Sequence, residues 1–321
     1  MSELDDIKSA SGDYYKWALK ARKKYLLLLQ QTDETIAELY LASVRRIIRE
    51  FKKGNKKLKY LLEAIADDTE QFNDDLAKAI KSAIDDGTTA GIYFNQHVAT
   101  DVLKKAGIDI VPMVKSLEFS RKRAVQISFA RSHKDGLKVS ERIWKVSTHT
   151  RKIMSDIVRA GTGEDVVTVA RALEGYVKHG KNDLASNHSD MMKRMGSRVP
   201  ANLNYNALRL ARTELTAAYG EGVVASAKVS PSRTRIKWSL SNTHPRIDIC
   251  DNYAKGGKNG DGIYEPDSIP PYPAHLNCLC TLIPEPENTG QLVGRLKEWL
   301  NNPQSQPDLE KWYQDHYKMF E

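Results

Sequence analysis

The sequence predicts a mainly α-helical protein with one small α+β unit towards its C-terminal end. Three patterns in its 321 residues support this fold class. Up to about residue 228, apolar residues recur at steps of three and four, which is the period of an amphipathic helix. Past Ser230-Pro231-Ser232 the pattern changes to alternation with dense glycine and proline. The helical period returns after residue 286 and predicts a C-terminal helical tail.

These changes of pattern divide the chain into four regions. They are an N-terminal helical region (1–132), a second helical region (133–230), a small β-containing unit (231–285) and C-terminal helices (286–321).

Two long helices are predicted near the start. The first is expected to begin at a cap formed by Thr32 and Asp33 and to end at Gly54. The second begins near Leu58 and is expected to break at Asp85-Asp86-Gly87. Because each has one apolar face, we expect the two helices to pack against each other. Their apolar positions are Ile36, Tyr40, Val44, Ile47, Ile48 and Phe51, and then Leu62, Ile65, Phe72, Leu76, Ile80 and either Ala83 or Ile84.

Helical patterns continue to about residue 228. The predicted segments are helices over 93–103 and 114–131, a loop over 132–136, a long helix from 139, a helix after 163 that ends at Gly180, a loop or weak helix over 181–200, and a strong helix from 204. Thr162 is expected to cap the helix that ends at Gly180. We expect the clustered Met191, Met192 and Met195 to fill a gap in a core.

The clearest strand covers residues 235–240, where polar and apolar side chains alternate. A short helix is expected to begin at Pro245 and run through Tyr253, followed by a hairpin tip over 256–262 and a strand at Ile263-Tyr264. Core burial alone would leave so small a unit marginally stable.

Two aromatic-rich helices are predicted after residue 286. The simpler expectation is that they fold back onto the helical domain, and a partner-binding tail is the alternative.

Composition limits the possible partners. The chain is 40% hydrophobic and 28% charged, and its most apolar run, 25–29, is far shorter than the roughly twenty residues of a membrane span. A net charge of +8 and a pI near 9.1 favour contact with polyanions but do not distinguish nucleic acid from acidic protein surfaces.

The three cysteines of the chain lie within one short stretch. Cys250, Cys278 and Cys280, together with His275, make a Cys3His set, which is typical of tetrahedral structural zinc. Such a set is closed and leaves no position for a substrate. His244 is a substitute ligand if Cys250 is too far away, and three unligated thiols are the alternative.

A disulfide fits this pattern less well. Cysteines two residues apart bridge poorly, the total is odd, and the absence of a signal peptide favours a reducing compartment. A structural metal would also stabilise the small unit. In full, the predicted fold is a helical N-terminal two thirds, a small zinc-stabilised α+β unit and a C-terminal helical tail.

Four motifs, in this order, resemble the phage Mu F-like minor head protein family, also described as phage head morphogenesis proteins. The motifs are Leu137 to Trp144 before a helix, Gly161 to Asp165 at the start of the next, Ala211-Arg212-Thr213-Glu214 leading to Ala218-Tyr219-Gly220-Glu221-Gly222 with Trp238 on the following strand, and His275 to Cys280. The resemblance covers about 150 residues. Leu276 and Leu279 stand where the family usually has Pro and Arg, but neither position is a ligand.

The resemblance implies a minor capsid protein without enzymatic activity. Such a protein would lie inside the head of a tailed phage, reach it through the host cytoplasm during assembly, and contribute to head assembly and to DNA packaging or ejection. The implied partner is the portal protein, with packaged double-stranded DNA and other inner head proteins as further partners. Arg212 and Glu214 would be framework or contact residues that join the last long helix to the β unit, with an ion pair as their expected structural role. Trp238 would serve as a structural or contact residue.

Two other classes of function remain open. A zinc-containing nucleic-acid-binding protein would need a basic face around Cys278, but its neighbours are leucines and prolines. A metal-dependent nuclease would have to use His244, Asp248, Asp251, His275 and Asn277.

Overall fold

The structure is a computed structural model that describes residues 2–53, 57–132, 135–244 and 246–321. Helices make up about 75% of the protein, and the described residues form one three-stranded sheet. The predicted mainly α fold is therefore confirmed.

The helices and strands have the following bounds. The helices are α1 (Glu3–Ser11), α2 (Tyr15–Lys53), α3 (Leu58–Ala106), α4 (Val111–Ala130), α5 (Val139–Ala160), α6 (Val166–His179), α7 (Lys181–Asn187), α8 (Ser189–Met195), α9 (Tyr205–Val229), α10 (Ile249–Ala254), α11 (Thr289–Asn301) and α12 (Pro307–Trp312). The strands are β1 (Arg235–Ser239), β2 (Ile263–Tyr264) and β3 (Thr281–Glu285).

The chain divides into two compact units. Unit 1 comprises 1–29, 83–130 and 213–321, and unit 2 comprises 30–82 and 131–212. Both units are assembled from segments that are distant in sequence, so the four consecutive regions predicted from the sequence do not coincide with them.

Unit 2 is a helical unit with buried aromatic side chains. The ring of Tyr40 on α2 meets Phe72 on α3 edge to face, with centroids 4.9 Å apart. The Tyr40 hydroxyl lies 2.9 Å from the Thr150 hydroxyl on α5. The Arg46 guanidinium of α2 pairs with Asp68 of α3 at 2.6 Å. The predicted packing of these two helices is thus confirmed within this unit.

Helix α3 runs without interruption through the predicted break at Asp85-Asp86-Gly87, so that prediction was wrong. The glycines of this segment serve close packing instead. A Cβ atom built on Gly87 would lie 2.7 Å from the carbonyl oxygen of Leu215, and one on Gly91 would lie 2.1 Å from that of Tyr219. Within unit 1, α3 and α9 therefore approach each other almost backbone to backbone.

Two smaller expectations were wrong. Helix α2 begins at Tyr15 and runs through Thr32 and Asp33, which therefore do not cap it. Asp165, not Thr162, caps α6, because its carboxylate accepts the N–H of Thr168. By contrast, the segment 181–200 contains the short helices α7 and α8, in agreement with the expected loop or weak helix, and the expected burial of Met191 and Met195 is confirmed.

Some expectations fall on residues that the structure does not describe. The predicted stop at Gly54, part of the loop over 132–136 (His133 and Lys134), and Pro245 as the first residue of a short helix lie outside the described residues. That helix is observed as α10, which begins at Ile249 after its cap at Asp248.

The sheet of unit 1 has the order β2-β1-β3, with both pairings antiparallel. Ile236 of β1 faces Tyr264 of β2, and Trp238 of β1 faces Leu282 of β3. The predicted strands at 235–240 and 263–264 are confirmed. Ile236, Trp238 and Leu282 are buried with Tyr219 and Val223 of α9, so the sheet packs on that helix.

The C-terminal helices pack into unit 1. This agrees with the simpler of the two expectations, that they fold back onto other helices of the protein. Leu296 and Trp299 of α11 share a buried cluster with Phe94 of α3. The indole N–H of Trp312 donates to the carbonyl of Val229 at 2.9 Å. Among the described helices, none combines the length and apolarity that a membrane crossing requires.

Replacing Gly91 with Ala should destabilise the protein. The added methyl group would overlap the backbone of α9, and overpacking of this kind costs about 1–3 kcal/mol. Gly294→Ala is the matched control, because nothing lies within 4 Å of its Cβ position in α11. This substitution should stabilise the helix by about 0.5–1 kcal/mol. Denaturant unfolding of both variants measures the difference, and equal midpoints would contradict the close packing of α3 on α9.

Candidate metal centre

Two short segments of unit 1 deliver the three cysteines. Cys250 lies in the first turn of α10, where its backbone N–H donates to the Asp248 carboxylate at 2.7 Å. Cys278 and Cys280 lie just before β3. Residues i and i+2 of an extended segment point to the same side, so both thiols face the same site, as predicted.

The three sulfur atoms form a compact buried cluster. They lie within 4.8 Å of one another, and Cys250 Sγ is 3.6 Å from Cys278 Sγ. Each cysteine is at most 1% exposed, and none forms a disulfide. The sulfur–sulfur edge of a zinc–thiolate tetrahedron is about 3.8 Å at a Zn–S distance of about 2.3 Å. The cluster can therefore hold a metal ion without large movement of its ligands.

Hydrogen bonds among the three thiols shift their pKa values in different directions. Contacts with Cys250 and Cys280 lower the pKa of the Cys278 thiol below its ordinary value. The contact with Cys278 raises the pKa of Cys250 above its ordinary value. The lowered pKa of Cys278 favours the thiolate form that metal ligation requires, and metal binding would displace the protons of the other thiols.

His275, the fourth ligand expected from sequence, is partly exposed beside this cluster. A ring nitrogen of His275 lies within 4.8 Å of Cys250 Sγ and of an Asp248 carboxylate oxygen. Its Nδ1 is 3.0 Å from the carbonyl oxygen of Leu276, and its Nε2 is 3.3 Å from Asp248 Oδ2. Both ring nitrogens therefore have oxygen partners.

His244, the substitute ligand, also lies beside the thiols. Its Nδ1 is 3.9 Å from Cys280 Sγ, and its Nε2 is 3.0 Å from Asp251 Oδ2. The hydrogen bond with Asp251 raises the pKa of His244. The pKa of Asp251 is lowered, first by the backbone N–H of Asp248 and then by His244.

The acidic partners of the two histidines belong to the cap of α10. Asp248 is the cap residue, and its backbone N–H donates to Asp251 Oδ2 at 2.8 Å. From sequence, Asp248 and Asp251 had a functional role only as ligands of a nuclease centre. Asp248 and Asp251 are three residues apart, which is the spacing of a capping box. This spacing could have predicted that they cap the helix that carries Cys250.

Helix α9 and two aromatic residues support the cysteine segment. Thr213 Oγ1 accepts the backbone N–H of Asn277 at 3.0 Å, and the Tyr272 hydroxyl donates to the Cys280 carbonyl at 2.7 Å. Trp238 is fully buried, with its ring centroid 5.3 Å from that of Tyr272. A Cβ atom on Gly220 of α9 would lie 2.2 Å from the Tyr272 ring.

Arg212 and Glu214 have different positions. The Arg212 guanidinium forms a two-pronged ion pair with Asp33 on α2, at 2.7 and 2.6 Å. This pair lies within unit 2, whereas Arg212 was expected to join α9 to the β unit. Glu214 is fully buried in unit 1.

Comparisons with protein-family models, with curated proteins and with solved structures find no match.

Replacing Cys278 or Cys280 with Ser should abolish stoichiometric metal binding and lower the thermal unfolding midpoint. Each substitution removes one of the buried thiolates on which a tetrahedral site depends. Elemental analysis and calorimetry of the purified variants measure both effects. Chelator-treated wild type is the control and should unfold near the midpoint of the variants. Full metal content and an unchanged midpoint in both variants would show that the cluster does not bind a metal.

Proposed function

We propose that the protein is a structural minor head protein of a tailed bacteriophage, and that its cysteine cluster holds one structural Zn²⁺. It would act inside the head, in association with the portal, and contribute to head assembly and to the packaging or ejection of DNA. The observation that carries this proposal is the contact between two motifs that are separate in sequence, one on α9 and one at the cysteines.

The chemistry of the donor set supports zinc. Three buried sulfur donors within 4.8 Å of one another suit Zn²⁺ better than the hard cations Mg²⁺ and Ca²⁺, which prefer oxygen ligands. A bound Zn²⁺ would link α10 to the segment before β3. The apparent binding free energy of such sites in zinc-finger peptides is about 10–16 kcal/mol, which is large compared with the stability of a small sheet.

The contacts between motifs support the family resemblance. Thr213 and Gly220 belong to the α9 motif, and they contact Asn277 and Tyr272 of the cysteine segment. Trp238 of the strand motif packs on the same Tyr272 ring. The motifs thus describe one folded unit, which gives a physical reason for their occurrence together.

A structural role also agrees with the form of the site. The sulfur atoms are buried, so a substrate would have no access to a metal held among them. The net charge of +8 suits a protein that lies beside encapsidated DNA.

Quantitative mass spectrometry of purified phage particles tests this function. We expect the chain in DNA-filled heads at a copy number near or below that of the portal protein, because a portal-associated component is limited by portal sites. The soluble fraction of the same lysate is the control. A chain that is abundant there and missing from filled heads would contradict the proposal.

A metal-dependent nuclease is the second candidate, because ligand atoms of His244, Asp248 and Asp251 lie within 4.8 Å of one another. These groups already have structural partners, since both carboxylates complete the cap of α10 and His244 bonds to Asp251. We expect no cleavage of plasmid or single-stranded DNA with Mg²⁺ or Mn²⁺. Cleavage that is lost in Asp251→Asn but kept in Gly294→Ala would favour the nuclease instead.

A further inference from the structure

The Nδ1 atom of His244 lies beside the thiol of Cys280. It is 3.9 Å from Cys280 Sγ. In a tetrahedral zinc site, the edge between a sulfur and an imidazole nitrogen is about 3.6 Å, given Zn–S and Zn–N distances of about 2.3 and 2.0–2.1 Å. This separation is therefore close to the edge that His244 Nδ1 and Cys280 Sγ would share in such a site.

The opposite ring nitrogen of His244 is held by a carboxylate. Nε2 is 3.0 Å from Asp251 Oδ2, and Asp248 Oδ1 is farther away at 3.7 Å. A carboxylate can only accept at this position, so the proton of the neutral ring stays on Nε2 and the lone pair of Nδ1 faces the thiols. Metal-bound histidines are commonly oriented by a carboxylate in this way.

The position of Asp251 is itself fixed by the helix that carries Cys250. Asp251 Oδ2 accepts the backbone N–H of Asp248, which completes the capping box of α10. One turn of helix therefore delivers a thiol and, at the next residue, the carboxylate that orients a histidine towards the same site.

His275 lacks this arrangement. Its two nitrogens face the Leu276 carbonyl and the Asp248 carboxylate. Its side chain is 38% exposed, whereas that of His244 is 12% exposed. Ligation by His275 would require it to leave an oxygen partner and turn inward.

We propose that His244, positioned by Asp251, is the fourth ligand of a metal held by Cys250, Cys278 and Cys280. In this assignment His275 lies outside the coordination sphere, and its Nε2 contacts the Asp248 carboxylate. This assignment rests on the metal site proposed above and replaces the ligand expected from the spacing of His275 and Cys278. It gives a closed Cys3His site in which the histidine comes from the segment between β1 and α10.

Titration of the metal-free full chain with Co²⁺ tests the assignment, since the visible bands of tetrahedral Co²⁺ report its ligands. His244→Ala should alter these bands and weaken Co²⁺ and Zn²⁺ binding by more than the roughly 10–100-fold expected for loss of a supporting carboxylate. Asp251→Asn should weaken binding by about 10–100-fold while keeping tetrahedral bands, as a positioning residue does. His275→Ala, the matched control, should leave spectrum and affinity unchanged.

His244→Cys keeps the test decisive if His244→Ala does not fold. A fourth thiolate should restore tight binding and raise the sulfur-to-cobalt charge-transfer absorption by about one third, because each thiolate contributes to it. Unchanged charge-transfer intensity in this variant, or altered bands in His275→Ala alone, would overturn the assignment of His244. A wild-type chain that binds neither ion would instead overturn the metal site itself. The copy number in phage heads tests the proposed function separately.

Discussion

The meeting of three thiols at the start of α10 and before β3 is the constraint on which the small sheet depends. Helix α10 has six residues and β2 has two, and elements of this length are not stable in isolation. Cys250 links the helix to the segment that leads into β3, and β3 forms the longer pairing with β1. A metal at these thiols would join the short elements to the one well-paired part of the sheet.

Helix α9 provides the surface on which this unit is assembled. Gly222 allows the α3 backbone to approach closely, Gly220 allows the Tyr272 ring to do so, and Thr213 accepts the backbone N–H of Asn277. That N–H belongs to a residue with a positive φ of 58° in the turn before Cys278. A larger side chain at Gly220 would displace Tyr272, and with it the hydrogen bond to the Cys280 carbonyl. The packing of α9 thus determines where the sulfur atoms lie.

The candidate site could be predicted in part. Cysteines two residues apart in an extended segment must face the same side, and their proximity to Cys250 was a reasonable inference from composition and spacing. The choice between two histidines could not be made in this way. His275 is only three residues from Cys278, but its ring bonds to Leu276 and Asp248, whereas His244 is 36 residues from Cys280 in sequence and within 3.9 Å of its sulfur.

Local sequence was enough to predict the helical character of most of the chain, the strands β1 and β2, and the three cysteines as candidate donors. These features follow from local periodicity and residue chemistry, which a single segment carries within itself. Three features became evident only in the folded protein: α3 continues past Gly87, Arg212 pairs with Asp33, and His244 lies beside the Cys280 thiol. In a sequence, a glycine indicates a helix break. The alternative, that it leaves room for a second backbone, becomes evident only when the neighbouring helix is known. In the same way, the direction of a side chain depends on hydrogen-bond partners that folding brings from distant parts of the sequence.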